Sequence, residues 1–235
     1  MSYSNLHPWT LDPGEAARVQ ASLRKRLVLT WDGRAVSTIA GIDVGLKDTS
    51  RTARAAIAVL RYPDLTPLEG VTADVPLVFP YVPGLLAFRE GPAILAAWEK
   101  LHLQPDLLMF DGQGIAHPRG IGIASQMGLW LDRPSIGVAK SRLYGRHEAP
   151  GSRRGDLADL VDERDPTHIV GAVLRTRESA NPVYVSSGHL IDLPHCVEFV
   201  SRCCTRYRLP EPTRWAHRLA SGETLPSETR QARLF

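Results

Sequence analysis

Apolar positions along this chain recur with two periods, and the changes of period mark its elements. Ala16, Val19, Leu23 and Leu27 follow Asp12-Pro13 at helical spacing, with Glu15 placed for a capping box and Arg18, Arg24, Lys25 and Arg26 facing outward. Three strand-like runs come next, 37–44, 53–62 and 71–79, joined by turn residues with no helix between them. Such a succession predicts an antiparallel meander. The helical period then returns over 90–103, where Ile94, Leu95, Trp98 and Leu101 share one side and Pro92, tolerable only in a first turn, sets the start near Glu90. A short strand at 106–110, a helix at 118–131 and a strand at 134–139 complete a βαβαβ pattern.

Right-handed crossovers make the later strands parallel. The expected fold is therefore α/β, a mixed five-stranded sheet, three antiparallel strands then two parallel, flanked by helices, and the placement of the carboxylates described below gives it the specific name ribonuclease H-like. The stretch 141–165, charged and glycine-rich, reads as a surface insertion, followed by a hairpin from 168–175 and 182–187. Asp192-Leu-Pro starts a helix to about Tyr207, and 211–220 is a last short one. One domain over 1–220 and a polar tail over 221–235 are expected.

Composition narrows the function classes only a little. The net charge is +3, from 28 basic and 25 acidic residues, and all the basic residues except Lys25, Lys47, Lys100 and Lys140 are arginines. Arginine's rigid fork suits phosphate, although base composition of the genome produces the same bias. Cys196, Cys203 and Cys204 cannot form a disulfide framework and suit a reducing compartment. A zinc site with His189 and His195 lacks the CxxC spacing, so core thiols are the better reading. The first residues lack a basic start and an apolar core, and the longest uncharged stretch, 75–88, is broken by Pro76, Pro80, Pro83 and Gly84. A cytoplasmic protein without a membrane span is expected.

The chemistry lies in three acids. Asp43 follows Ile39, Ala40 and Ile42 in a strand that should be central, and Asp111 follows Leu107 to Phe110, with Gly112 and Gly114 leaving the backbone open to a ligand. A carboxylate in such surroundings must be paired, protonated or bound to a cation. For Asp43 a pairing with Lys47 is the simpler alternative. If the two strands are neighbours, the aspartates meet at one sheet end, and Glu90 arrives from the helix between. Three hard oxygen ligands suit Mg²⁺ or Mn²⁺, and such clusters serve metal-assisted phosphodiester hydrolysis. Lys140, ending the next strand, is placed to bind phosphate or stabilise a leaving oxygen, or is simply solvated. His117 is placed to contact phosphate or shuttle a proton, or merely starts a helix. Pro80-Tyr81-Val82-Pro83-Gly84 is stiff and apolar, which fits either a rigid wedge between bases or ordinary core packing.

Taken together, Gly41-Ile-Asp-Val-Gly45, Pro80-Tyr-Val-Pro-Gly-Leu-Leu-Ala-Phe-Arg-Glu90, Asp111-Gly-Gln-Gly-Ile-Ala-His-Pro-Arg-Gly120 and Gly137-Val-Ala-Lys-Ser-Arg-Leu143 resemble the endonuclease V family over nearly the whole chain. The resemblance implies a repair nuclease directed at deoxyinosine that cuts the second phosphodiester 3′ to the lesion and leaves the lesion in place. It implies that Asp43 and Asp111 bind catalytic Mg²⁺, that Glu90 completes the acidic site, and that His117 and Lys140 assist near the scissile phosphate. It further implies a wedge containing Pro80, Tyr81, Val82 and Pro83, and a base pocket around Gly84, Leu86, Gly112 and Gly137. Backbone groups there can tell hypoxanthine, with its O6 acceptor and N1 donor, from adenine. His217 stands where some relatives have a carboxylate, so it is a candidate for a water-mediated metal shell. The expected partner is double- or single-stranded DNA with deaminated bases, or inosine-containing RNA, bound by a monomer. Two other readings stay open at this point: an actin-like phosphotransferase, suggested by Gly-Ile-Asp-Val-Gly, and a non-catalytic nucleic-acid binding module.

Overall fold

The computed structural model describes residues 3–47 and 51–225, so most of the expected polar tail, from residue 226 on, lies outside the described residues. Helix α1 (Pro13–Arg24) starts as its sequence dictates. The Asp12 carboxylate accepts the Glu15 N–H at 2.6 Å, a cap of the kind that contributes about 1 kcal/mol. The reciprocal half of the box is diverted, because the Glu15 carboxylate accepts the Thr10 hydroxyl at 2.5 Å.

Strands β1 (Thr38–Lys47), β2 (Thr52–Arg61) and β3 (Pro67–Pro76) form the antiparallel meander. Helix α2 (Leu86–Trp98) then leads to β4 (Leu107–Phe110), which lies parallel to β1, and α3 (Ile123–Leu131) leads to β5 (Ser135–Ala139), parallel to β4. The five expected strands are present with the expected directions. The C-terminal hairpin, β7 (Ile169–Leu174) and β8 (Val183–His189), continues the same sheet, since β8 pairs antiparallel with β5. Strand β6 (Leu157–Val161) closes that edge, giving eight strands in the order β3-β2-β1-β4-β5-β8-β7-β6. It falls inside the segment read as a surface insertion. Only Leu160 of β6 is fully buried, so a short edge strand with one wet face left almost no apolar signal.

Helices α2 and α3 cover one face, where Ile94, Trp98 and Trp130 pack on Ala40, Ile42 and Phe110. The opposite face is covered by α4 (Leu193–Cys203) over Ile39, Met109, Ile136 and Val185, and by α5 (Glu211–Ala220) over Ala56, Ala58 and Leu60. The three cysteines are free and buried in the α4 layer, and burial pushes the Cys196 thiol up to about 12. They are core thiols. Among the described residues no helix is long and apolar enough to cross a membrane.

Two helix starts differ from the sequence reading. Helix α2 begins at Leu86 rather than near Glu90, which leaves Pro92 inside the helix. Its start is set by the turn before it, Val82-Pro83-Gly84-Leu85, in which the Leu85 N–H donates to the Val82 carbonyl at 2.9 Å. Proline at the second position and a glycine at φ +79° in the third are what a type II turn requires. Helix α3 begins at Ile123 rather than 118, because Gly120, at φ +65°, holds the preceding residues in a loop.

Candidate active site

Parallel pairing of β1 with β4 sets Ile42 beside Phe110, so Asp43 and Asp111 are the next residues on adjacent central strands. The Asp111 N–H donates to the Ile42 carbonyl at 3.0 Å, which extends the ladder to the acids themselves. Both side chains are largely buried, with 12% of Asp43 and 14% of Asp111 exposed. The expected meeting of the two aspartates at one sheet end is what the register produces.

The third member comes from α5. Side chains alternate along β1, so Gly41, Asp43 and Gly45 share the face on which α5 lies. A Cβ on Gly41 would stand 1.9 Å from the Pro212 carbonyl oxygen, and one on Gly45 would stand 3.5 Å from the Ala220 Cβ. The glycines let the helix approach the strand, and His217 Nδ1 thereby reaches the Asp43 carboxylate at 2.7 Å. Asp43 also accepts the Val44 N–H at 2.9 Å. Among the described side chains its partner is His217, and the Lys47 pairing considered from sequence falls on a side chain outside the described residues.

Ligand atoms of Asp43, Asp111 and His217 all lie within 4.8 Å of one another. Glu90, on α2, stands outside that trio but close enough to feel it. Burial first, then the Asp43 charge and the Asp111 charge, push its carboxyl up to about 8. Asp111 is likewise raised, by burial and then by Asp43, while the Lys140 ammonium bonded to it opposes the shift. Packed carboxyls that resist ionising, with oxygen donors and one imidazole gathered around a point, fit a hard divalent cation.

Beside the acids opens a cavity of about 330 Å³, at the small end of ligand sites. Gly84, Leu86 and Gly112 line it, as do Asp111, Lys140 and the ring of His117. Gly137 does not. It lies under the Gly112 turn, where a Cβ would come within 2.7 Å of the Gly112 carbonyl oxygen. Tyr81 and Val82 stand at the cavity with Pro83, whereas Pro80 is exposed outside it. The loop is anchored by buried Phe79, whose carbonyl accepts Arg89 Nη1 at 2.8 Å. Tyr81 itself is 72% exposed, which excludes the core-packing reading for that ring.

His117 is not free to move protons. Its Nε2 donates to the Gly84 carbonyl at 2.9 Å and its Nδ1 accepts the Arg119 N–H at 3.1 Å. Arg119 Nη2 donates to the same carbonyl at 2.5 Å, and its Nε donates to the Gln20 carboxamide at 2.6 Å. With two donors already on it, the Gly84 carbonyl has no capacity left to accept from a base. Arg119 and Gln20 were missed from sequence. The available signal was Gln20 itself, a polar residue on the buried stripe between Ala16 and Leu23.

Burial, then Arg119, lowers the His117 pKa to about 4. The unfolded chain therefore binds this proton more readily, and the contribution of neutral His117 is fully present above about pH 6.5 and lost as pH falls toward 4. Integrated over that window it amounts to about 3 kcal/mol at most. Urea unfolding between pH 7 and 4.5 is expected to lose stability more steeply in the wild type than in His117→Asn. Parallel pH profiles would contradict this assignment.

A family model described as Endonuclease V matches residues 21–218. The chain belongs to the endonuclease V family. An endonuclease V from Trichormus variabilis is 50% identical over 218 residues, covering 92% of this chain and 97% of that protein. The crystal structure of endonuclease V from Streptomyces avermitilis is 40% identical, with a TM-score of 0.85 over 91% of this chain and 93% of that one. An endonuclease V from Ciona intestinalis shares the fold at 23% identity, with a TM-score of 0.77 and coverage of 94% and 98%, and was crystallised with a 24mer DNA containing an inosine followed by a ribo-adenosine. As an endonuclease V the chain is a nuclease acting on phosphodiester bonds, on a ribonuclease H-like fold, and the phosphotransferase and non-catalytic readings are set aside.

Proposed function

We propose that this endonuclease V recognises deaminated bases in DNA, chiefly deoxyinosine, and hydrolyses the second phosphodiester 3′ to the lesion, leaving the lesion in the nicked strand. The observation that carries the reading is that Asp111 belongs both to the acidic cluster and to the wall of the glycine-lined cavity. Base recognition and strand cleavage then share one space. The inosine-containing DNA bound by the Ciona intestinalis protein supports the same substrate class.

In this reading Asp43, Asp111, Glu90 and His217 hold Mg²⁺, for which Mn²⁺ can substitute. The ion supplies a Lewis acid and an activated water at neutral pH. Lys140, fixed by Asp111 and 41% exposed, offers its ammonium to the phosphate or its departing oxygen. Asp43 orients the His217 imidazole through Nδ1. His117 and Arg119 act as positioning residues, holding Gly84 and hence the wall of the base pocket. Gly112 and Leu86 border the space for the flipped base, with Gly137 supporting them from beneath, so the backbone there does the reading. Tyr81, presented on the rigid Pro80 to Pro83 segment, fills the gap left in the stack. The protein works in the cytoplasm as a monomer.

The decisive assay offers matched DNA and RNA strands, each with one inosine or one adenosine. The expected result is Mg²⁺-dependent nicking of the deoxyinosine duplex, abolished by EDTA. Equal cutting of the adenosine control would remove lesion specificity, and preferential cutting of the RNA would transfer the activity to inosine in RNA. For the wedge, Tyr81→Ala should weaken binding to lesion DNA about tenfold, the scale of one base–aromatic stack. Single-turnover cleavage of bound substrate should change much less, and an unaltered affinity would eliminate the wedge.

A further inference from the structure

A second cavity, about 130 Å³, opens behind His117, whose ring lines both spaces. It is bordered by Arg24 at the end of α1, by Tyr144, and by Asp162, Arg164 and His168 of the β6–β7 connection. Asp162 is already committed, since its carboxylate accepts the Tyr144 hydroxyl at 2.8 Å and the Arg164 N–H at 2.7 Å. The guanidinium groups of Arg24 and Arg164 have no hydrogen-bond or ion-pair partner among the described residues. Arg24 is laid over Gly120, where an added Cβ would come within 2.7 Å of its Nε. The loop that clamps the base pocket on one side therefore seats an arginine on the other.

Two permanently charged forks facing a small polar hollow are suited to a tetrahedral oxyanion, to which guanidinium can donate in parallel pairs. The volume corresponds to roughly four waters at ~30 Å³ each, the scale of a single phosphate group. We propose that this cavity binds a backbone phosphate of the lesion strand, on the side of the flipped nucleotide away from the scissile bond. In an enzyme that cuts 3′ to the lesion this is the 5′ side. The inference rests on the reading that a base occupies the larger cavity: with the cleaved bond over the acids, this second cavity then lies across His117 from the flipped base. Phosphates gripped on both sides of the nucleotide would hold it out of the stack.

The test is binding in EDTA, by fluorescence anisotropy, of single-stranded oligonucleotides with a central deoxyinosine or with deoxyinosine at an unphosphorylated 5′ end. Arg24→Gln/Arg164→Gln is compared with the wild type and with Arg18→Gln, which removes an exposed charge from the same helix. With the central lesion the double variant should bind about tenfold more weakly, and the slope of its salt dependence should flatten by about 0.7 for each phosphate no longer neutralised. With the terminal lesion it should equal the wild type, and Arg18→Gln should match the wild type on both. Equal losses on the two oligonucleotides, or no loss on the central one, would overturn the phosphate site. A wild type that binds deoxyadenosine and deoxyinosine strands alike would instead overturn the base-pocket reading, and this site with it.

Discussion

Replacing Asp43 or Asp111 with alanine should abolish cleavage while leaving the protein folded. In the proposed function each carboxylate helps hold a cation worth several kcal/mol to the transition state, so a loss on the order of a thousandfold or more in kcat is expected. Stability should respond differently. Burial and the Asp43 charge raise the Asp111 pKa, which means that the folded protein resists the charged form of this side chain. Removing it relieves that cost, and the metal-free Asp111→Ala protein should melt no lower than the wild type, as is common where function strains a site. Quantitative cleavage assays and thermal melts in EDTA check the two halves separately. Retained cleavage in both variants would dismiss the metal assignment, and a large drop in melting temperature for Asp111→Ala would show that the acid serves folding instead.

The second large effect is expected at a residue with no side chain. Gly41→Ala would drive a Cβ to 1.9 Å from the Pro212 carbonyl, and backbone cannot rotate aside as a side chain can. Helix α5 must shift, at a cost of about 3 kcal/mol, the upper end for overpacking. The bond between His217 and Asp43 goes with it, so cleavage and Mn²⁺ affinity should both fall. Gly45→Ala is the matched control, because its Cβ would meet Ala220 at an ordinary 3.5 Å. Isothermal titration with Mn²⁺ and urea unfolding of the two variants decide the matter, and equal behaviour would mean that α5 is not fixed by this strand.

How far the sequence carried depended on whether a feature was local. The Asp12 cap and the apolar stripe of α1 are encoded in neighbouring residues. The acids were legible because strand order alone brings residues after Ile42 and Phe110 together, and β1 and β4 do pair in that register. Strand β6 was hidden in a charged segment because an edge strand needs few apolar residues. The start of α2 was misplaced because a proline inside a helix was given more weight than the Pro83-Gly84 turn that launches it. Side-chain contacts that no strand order implies were hidden. Arg119 reaches Gln20 from 99 positions away in the chain, and nothing near either residue announces the other. The motif that contains Gly41 and Gly45 likewise gives no hint that α5 rests on them.

With His217 as a metal ligand, as proposed above, that resting place sets when activity can begin during synthesis. Asp43 is made early and His217 174 positions later, on the last helix of the described chain. Until α5 emerges from the ribosome and docks, the groove over Gly41 and Gly45 is bare and Asp43 lacks its imidazole. A nascent or prematurely terminated chain can therefore form much of the sheet without a finished nuclease centre. In that reading, strand scission waits for α5 to dock.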